Sequence, residues 1–546
     1  MKKLYIVKIA VFVLLALSPT VLRAQMSDDD IRLRERINAA VMEVYDKALD
    51  KDPNDYFTRF SRANQLYLNG EYDRAIDDVK MVIAANTNKE KELRFDCYLL
   101  LAQLYDAKGS YQDEINSLKA AAEINPHSLA CTDLLAKVSY KVGDYNAAER
   151  NFQIILRDSP MNYDALYGMA KVEVMRGNFE KAANYVDRAV SLFTAEPQVY
   201  INRSEVLNMM QQYEAAAQDL ISALSVGNDS GKALNALFNM SDTQYDAVMN
   251  ALASSCEKAP NVGMFFYVRA MIAMRHFHYG QALRDLKAII AGNLYDYHSI
   301  YYYTGKCQME LCQWDDAIAN LNKAIEMSST EMDYYVAKAV AVRHSGRGNN
   351  IDEALEVLGQ ALAIEATAPS VLMAKARLLL DKRQDTQALE CVSTVLTNYS
   401  NDAEALLLRG WINKYRLNLP DIAKTDFARV AEMGSDLHNL AGFAMHELGR
   451  DDQARQWAEQ VIHDGVLPGG ESYIYASALL SCIGNYDKGD KTHALDYLRS
   501  ALANGYGSLY EIKVNENPYV NLKLARRYPD FETIISQNQD NFQERP

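Results

Sequence analysis

Few residues in this chain are of a type and spacing that could do chemistry. GNDSGKA (Gly227 to Ala233) resembles a loop that cradles phosphate on backbone N–H groups and reaches it with a Lys. It has one residue too few between its glycines, Ala where the hydroxyl belongs, and no strand ahead of it. It reads as a turn between helices. His446-Glu447-Leu448 starts like a helical zinc site but lacks the second His one turn later. His276-Phe277-His278 offers two imidazoles, with no Cys or third His close in sequence, and reads as a solvated turn. With 72 acidic residues in the chain, isolated Asp/Glu pairs single out nothing, and they read as solvated outer faces. The sequence therefore assigns no catalytic residue, no metal ligand and no cofactor, and the expectation is a protein that is not an enzyme.

The elements around these residues say more. Gly143 in KVGDYNAAERNF (Lys141 to Phe152) marks a helix stop, because glycine reaches positive φ without strain. Asp144 marks the next helix start. Thirty-four residues on, RGNFEKA repeats the pattern with Gly177, Phe179 and Ala182. Thirty-four back, KGSYQDE gives Gly109, Tyr111 and Glu114. A fixed period of this length is the mark of a helical repeat array.

Each unit places a small residue in its first helix: Ala63, Ala102, Ala136, Ala170, Ser204, Ala236, Ala270, Gly305, Ala339, Ala376, Gly410, Gly442 and Ser477. About twelve residues later come Ala75, Glu114, Ala148, Ala182, Ala216, Val248, Ala282, Ala317, Ala354, Ala388, Ala423, Ala454 and Ala494. Two helices of a hairpin approach closely only where neither carries bulk. Larger side chains then interlock around the contact, as Phe152 and Ile155 are expected to do against Leu135.

The pattern resembles the tetratricopeptide repeat family. Leu129 to Asn162 carries Leu135-Ala136, Gly143, Tyr145, Ala148, Phe152 and Pro160 at that family's positions. Pro126, Pro160 and Pro260 fall where it ends a helix. The resemblance implies an all-α, right-handed superhelical solenoid of about 13 helix-turn-helix repeats with capping helices at both ends. The expected organisation is a signal peptide over 1–24, an N-terminal capping helix over 25–55, and repeats over 56–228. A degenerate repeat over 229–262 follows, then repeats over 263–505 and a C-terminal helical cap and tail over 506–546. The cap closes the far end of the stack. The turns His344 to Ala354 and Gly484 to Ala494 carry extra residues that loops absorb cheaply. Too little chain remains outside the repeats for an ordinary catalytic domain.

The bulk properties fit. Apolar residues make up 49%, which excludes a disordered composition, and a net charge of −15 argues against nonspecific nucleic-acid binding. Lys2 and Lys3, the short apolar run Ile9 to Leu17 and Ala24 read as an export signal, with no Cys after it to anchor a lipid. No later run spans a membrane. The expected location is the periplasm of a Gram-negative envelope, with secretion as the alternative. Cys97, Cys131, Cys256, Cys307, Cys312, Cys391 and Cys482 are an odd set for an exported protein, so at least one thiol stays free or pairs between chains. Helix axes 8–10 Å apart hold Cys97 and Cys131 too far apart for easy bridging, and small buried thiols are the expectation.

In the resembled family the first helices line a concave groove, and certain positions on them touch ligand. Carried onto this sequence, those positions are Lys137, Lys171, Lys306 and Arg377, with Tyr140, Tyr167, Tyr267, Tyr302, Trp411 and Tyr415 beside them. Met271, Met274, Met309 and Met373 share the face. One reading is a groove of cations on an aromatic, Met-rich floor that attracts carboxylates. The other is that the rings pack successive repeats and the lysines are solvated. The family's clamp for a C-terminal carboxylate needs Asn partners that Lys137 and Lys171 lack. The expected function is an exported scaffold binding protein partners or peptide segments, in envelope assembly or secretion. The alternative is a glycan- or peptide-binding component of a nutrient-capture system.

Overall fold

The structure is a computed structural model, described for residues 28–85, 91–226, 231–346, 350–433, 440–464, 470–483, 488–515, 517 and 521–543. The expected signal segment 1–24, Gly227–Ser230 of GNDSGKA, residues 347–349 and residues 484–487 of the longer turns lie outside that range. Every regular element among the described residues is helical.

Helix α1 (Asp28–Lys51) leads the stack, at the place of the expected cap. Helix pairs follow: α2 (Tyr56–Leu68) with α3 (Tyr72–Ala85), α4 (Lys91–Ala107) with α5 (Tyr111–Ile124), α6 (Leu129–Lys141) with α7 (Tyr145–Asp158). Next come α8 (Tyr163–Met175) and α9 (Phe179–Leu192), α10 (Pro197–Met209) and α11 (Tyr213–Val226), α12 (Gly231–Ser241) and α13 (Tyr245–Lys258). Then follow α14 (Gly263–Arg275) and α15 (Tyr279–Ala291), α16 (His298–Glu310) and α17 (Trp314–Met327), α18 (Met332–His344) and α19 (Asn350–Ile364), α20 (Pro369–Asp381) and α21 (Asp385–Asn398). The last pairs are α22 (Ala403–Tyr415) and α23 (Pro420–Glu432), α24 (Leu440–Glu447) and α25 (Asp451–Asp464), α26 (Glu471–Ile483) and α27 (Lys488–Ala503), before the short α28 (Leu509–Lys513) and α29 (Phe531–Gln537). The helices from α2 to α27 thus make the thirteen pairs of an all-α solenoid. They form two compact units, Met1–Ala251 and Leu252–Pro546, with the boundary inside α13.

Local chemistry sets the helix starts. Asp55, Ser128, Asp144, Asn162 and Asp402 each accept a hydrogen bond from the backbone N–H three residues on, satisfying a donor that a helix start leaves open. The turns share one left-handed residue. Gly143 (φ +80°) and Gly177 (φ +76°) occupy it at no cost, whereas Gln211, Phe277, Cys312 and Arg383 occupy it in other repeats with φ near +60°.

The small-residue pattern describes the packing well. All thirteen second-helix positions from Ala75 to Ala494 are buried, including Glu114 and Val248. Of the first-helix set, Ala236 alone is only half-buried: α12 has 11 residues instead of the usual 13, and it turns Ala233, Leu237 and Ser241 inward. Phe152 and Ile155 do not close on Leu135. They pack with Ala136, Ala165 and Met169, while Leu135 sides with Leu118 and Cys131 of the preceding repeat contact.

Acidic side chains are not all solvated. Arg62, Arg203, Arg269 and Arg409 on first helices reach Asp78, Asp219, Asp285 and Asp426 on second helices, each at 2.6 Å, and each Asp is buried. The pairs recur because a buried carboxylate needs a fixed partner. The cysteines are free thiols, buried at 97, 131, 256 and 307 and half-buried at 312, 391 and 482.

Candidate functional site

In the first unit, α6, α8 and α10 lie side by side as first helices of consecutive pairs. They bring four side chains together. The Lys171 ammonium sits 5.0 Å from the Tyr140 ring centre and 5.1 Å from that of Tyr167, and its Nζ is 3.0 Å from Glu205. Tyr167 also bonds Glu205, and burial pushes its hydroxyl well above the ordinary tyrosine range, with the bond to Glu205 adding to the rise. Tyr140 packs 5.8 Å from Tyr145. Burial raises its hydroxyl too. A cation between two ring faces and a carboxylate is held in one place rather than swept through solvent.

Lys137 stands apart from this group. It pairs with Asp133 on its own helix at 2.5 Å. Burial raises the carboxyl of Asp164, Lys137 pulls it back and Asp133 pushes it up. Lys141 pairs with Asp106 at 2.5 Å. The lysines of this face are therefore matched by Asp106, Asp133, Asp164 and Glu205. A field of unpaired cations waiting for a carboxylate is not what these helices present.

In the second unit the sequence-predicted residues fall into four places. Tyr302 stacks on Tyr334 at 4.5 Å and touches Tyr303 at 5.1 Å, and Tyr303 reaches Tyr267 at 6.2 Å. His298 Nδ1 lies 2.6 Å from the Tyr334 hydroxyl. Burial pushes Tyr267 up to about 12 and raises Tyr302 further. These rings join α14, α16 and α18. Trp411 and Tyr415 pack at 5.6 Å, Arg416 covers the Trp411 ring, and Tyr415 donates to Glu447 at 2.9 Å. Arg377 pairs with Glu404. Lys306 is half-buried, one turn from the buried Glu310. Met309 and Met373 are buried, while Met271 and Met274 are half-buried.

The motifs set aside as weak chemistry have structural employment. His446 Nδ1 lies 2.8 Å from Asp451, and Glu447 accepts from Lys414 at 2.8 Å. The His276–His278 turn is not solvated: His276 is buried and Phe277 stacks on Tyr506 at 4.7 Å, because the C-terminal segment covers it. No group of three His, Cys, Asp or Glu among the described residues could hold a metal ion. No helix there is long and apolar enough to cross a membrane. The residues that sequence reasoning passed over are Glu205 and the Arg–Asp pairs. The Arg–Asp spacing of 16 residues, 17 in the Arg409 pair, was the signal available for the latter.

Tetratricopeptide repeat families match residues 44–77, 95–128, 134–199 and 348–412, and the chain belongs to the tetratricopeptide repeat proteins. It is similar to human Superkiller complex protein 3, 22% identical over 304 residues, 51% of this chain and 17% of that protein. It is also 22% identical over 440 residues to the TPR repeat-containing protein MJ1428 of Methanocaldococcus jannaschii, 77% of this chain and 72% of that one. Among solved structures, yeast Tom70 aligns with 15% identity and a TM-score of 0.34, over 77% of this chain and 98% of that one. The chain thus spans less than a fifth of the human relative's length. The chain is an array of helical repeats of this family.

Proposed function

We propose that the chain is an exported scaffold whose first unit holds a peptide segment of a protein partner against α6, α8 and α10, in envelope assembly or secretion. The observation that carries this reading is the convergence of half-buried Tyr140, Tyr167 and Lys171 with the exposed Glu205, from three successive repeats. Two tyrosine rings give contact area at low entropic cost, and a fixed Lys–Glu pair offers one donor group and one acceptor group. Because the lysines are already matched by carboxylates, recognition rests on ring contact and hydrogen bonding more than on net positive charge.

The test is capture from crosslinked envelopes with the chain as expressed, comparing the natural protein with Tyr140→Ala plus Tyr167→Ala. A partner held by the first and lost by the second, at unchanged helicity, supports the reading. Equal capture by both removes this face from the account. The glycan-capture reading has one observation in its favour: Tyr295 and Tyr297 are each about half exposed, and Tyr297 packs 4.1 Å from His298 at the edge of the second unit's tyrosine cluster. Retention on immobilised polysaccharide that is lost in Tyr297→Ala would move the function there.

A further inference from the structure

The last helix pair does not end the second unit. From Gly505 onward the chain runs back across the turns of α14–α15 and α16–α17. A Cβ on Gly505 would stand 2.2 Å from His278 Nε2, and the residue's φ is +83°, so glycine alone fits. A Cβ on Gly507 would meet the Phe277 carbonyl oxygen at 2.5 Å. Tyr506 stacks on Phe277, and Tyr510 meets Trp314 at 6.0 Å and His344 at 5.6 Å, both edge-on. Ser508 Oγ donates to Glu310 Oε2 at 2.6 Å, between residues 198 apart in sequence. Arg526 fastens the segment by donating to the Ile512 carbonyl at 2.8 Å and the Asn515 carbonyl at 2.9 Å.

The strap closes over carboxyl groups. Glu310 and Ser508 are buried together. Glu511 is bonded to Asn515. Around Glu310 stand Tyr279 from α15, Cys307 and Lys306 from α16, Cys312 from the turn, and Tyr506, Tyr510 and Glu511 from the strap. Glu471 from α26 faces Tyr279 and Tyr506, and Lys513 faces Cys312. Arg377 and Arg526 approach Glu511, but Arg377 is paired with Glu404 and Arg526 donates to backbone carbonyls. The two acids therefore share a buried space in which, among the described residues, neither is ion-paired, and Lys306 acts on Glu310.

We propose that Tyr506–Asn515 is a strap that seals the turn edge of the second unit while Glu310 and Glu511 hold their protons, and that comes away when they lose them. Burial first, and the neighbouring Glu310 second, push Glu511 up to about 7; burial raises Glu310, and the Ser508 bond and Lys306 oppose it. The raised groups bind protons more tightly docked than free. Docking is thus strongest below the ordinary carboxylate value of 4.5 and weakens as pH climbs to about 7. Release uncovers Phe277, Trp314, His344 and Arg377 for a partner.

Amide hydrogen exchange on the full chain tests this, reading peptides across 505–515 against peptides of α8 and α9, with intrinsic rates corrected for pH. Protection of the strap is expected to fall as pH rises from 4.5, by about tenfold per pH unit from Glu511 up to about 7, with Glu310 adding to the fall. Glu310→Gln with Glu511→Gln is expected to flatten the profile. Should that double variant leave the strap open at every pH, the single variants decide, each expected to make the profile shallower than that of the natural protein. A flat profile in the natural protein, or single variants as steep as it, overturns the proposal.

Discussion

A Cβ on Gly168 would lie 2.2 Å from the Phe152 ring, and one on Gly410 would lie 2.6 Å from Phe427. Gly168→Ala is therefore expected to cost about 1–3 kcal/mol by forcing the ring off its rotamer. Gly359, with nothing within 4 Å and a helical backbone, is the control: Gly359→Ala is expected to gain about 0.5–1 kcal/mol in the same thermal melts. Glu114 holds the place where other repeats have Ala, with Oε2 buried and unbonded. Burial pushes it up to about 7, Asp106 adds to the rise and Lys141 opposes it. Its folded value is raised, so the penalty of keeping it appears as pH rises from 4.5 to about 7. Glu114→Ala is expected to raise the melting temperature more at pH 8 than at pH 5; an equal shift at both would contradict this. These positions were half legible. The sequence marked Glu114 as the departure from an alanine column, but not that its carboxylate goes in with the column.

At the scale of helices, the turn and the Arg–Asp pair are the recurring parts. Arg383 takes the left-handed turn position with a side chain, φ +61°, where Gly143 takes it freely. Arg383→Gly is expected to be neutral or mildly stabilising, whereas Gly143→Ala is expected to cost about 1–2 kcal/mol, both read from urea unfolding. Asp285→Ala would strand Arg269, whose side chain is 12% exposed, and is expected to cost about 3–5 kcal/mol, with lost exchange protection centred on α14 and α15. The helices themselves were legible because close approach demands alanine and glycine at a fixed period. The buried aspartates were not, since a reading by residue type sends acids to solvent, and only the partner Arg on the facing helix keeps Asp285 inside.

At the scale of the molecule, each unit answers a different question. The second unit folds its own C-terminal strap against α15 and α16, a contact that no local pattern announces, because Ser508 and Glu310 meet only once the intervening repeats are stacked. Sequence reading foresaw a cap over the last pair; α29 and the 3-10 turn Ala525–Arg527 do pack on α26 and α27, and the return to α15 and α16 is the addition. The first unit carries Tyr140, Tyr167 and Lys171 as foreseen neighbours, but the matching of its lysines by Asp106, Asp133 and Glu205 depended on which side chains of adjacent helices face one another. If this face binds a protein segment, a partner lies within crosslinking reach of Tyr140. The most direct measurement places a photo-crosslinking amino acid in turn at Tyr140, at Met175 on the same helix row, and at Gln153 on an exposed stretch of α7, in the full chain in its native cells. The same protein adduct is expected at 140 and 175 and none at 153. Adducts at 153 alone, or equal labelling at all three, would contradict it.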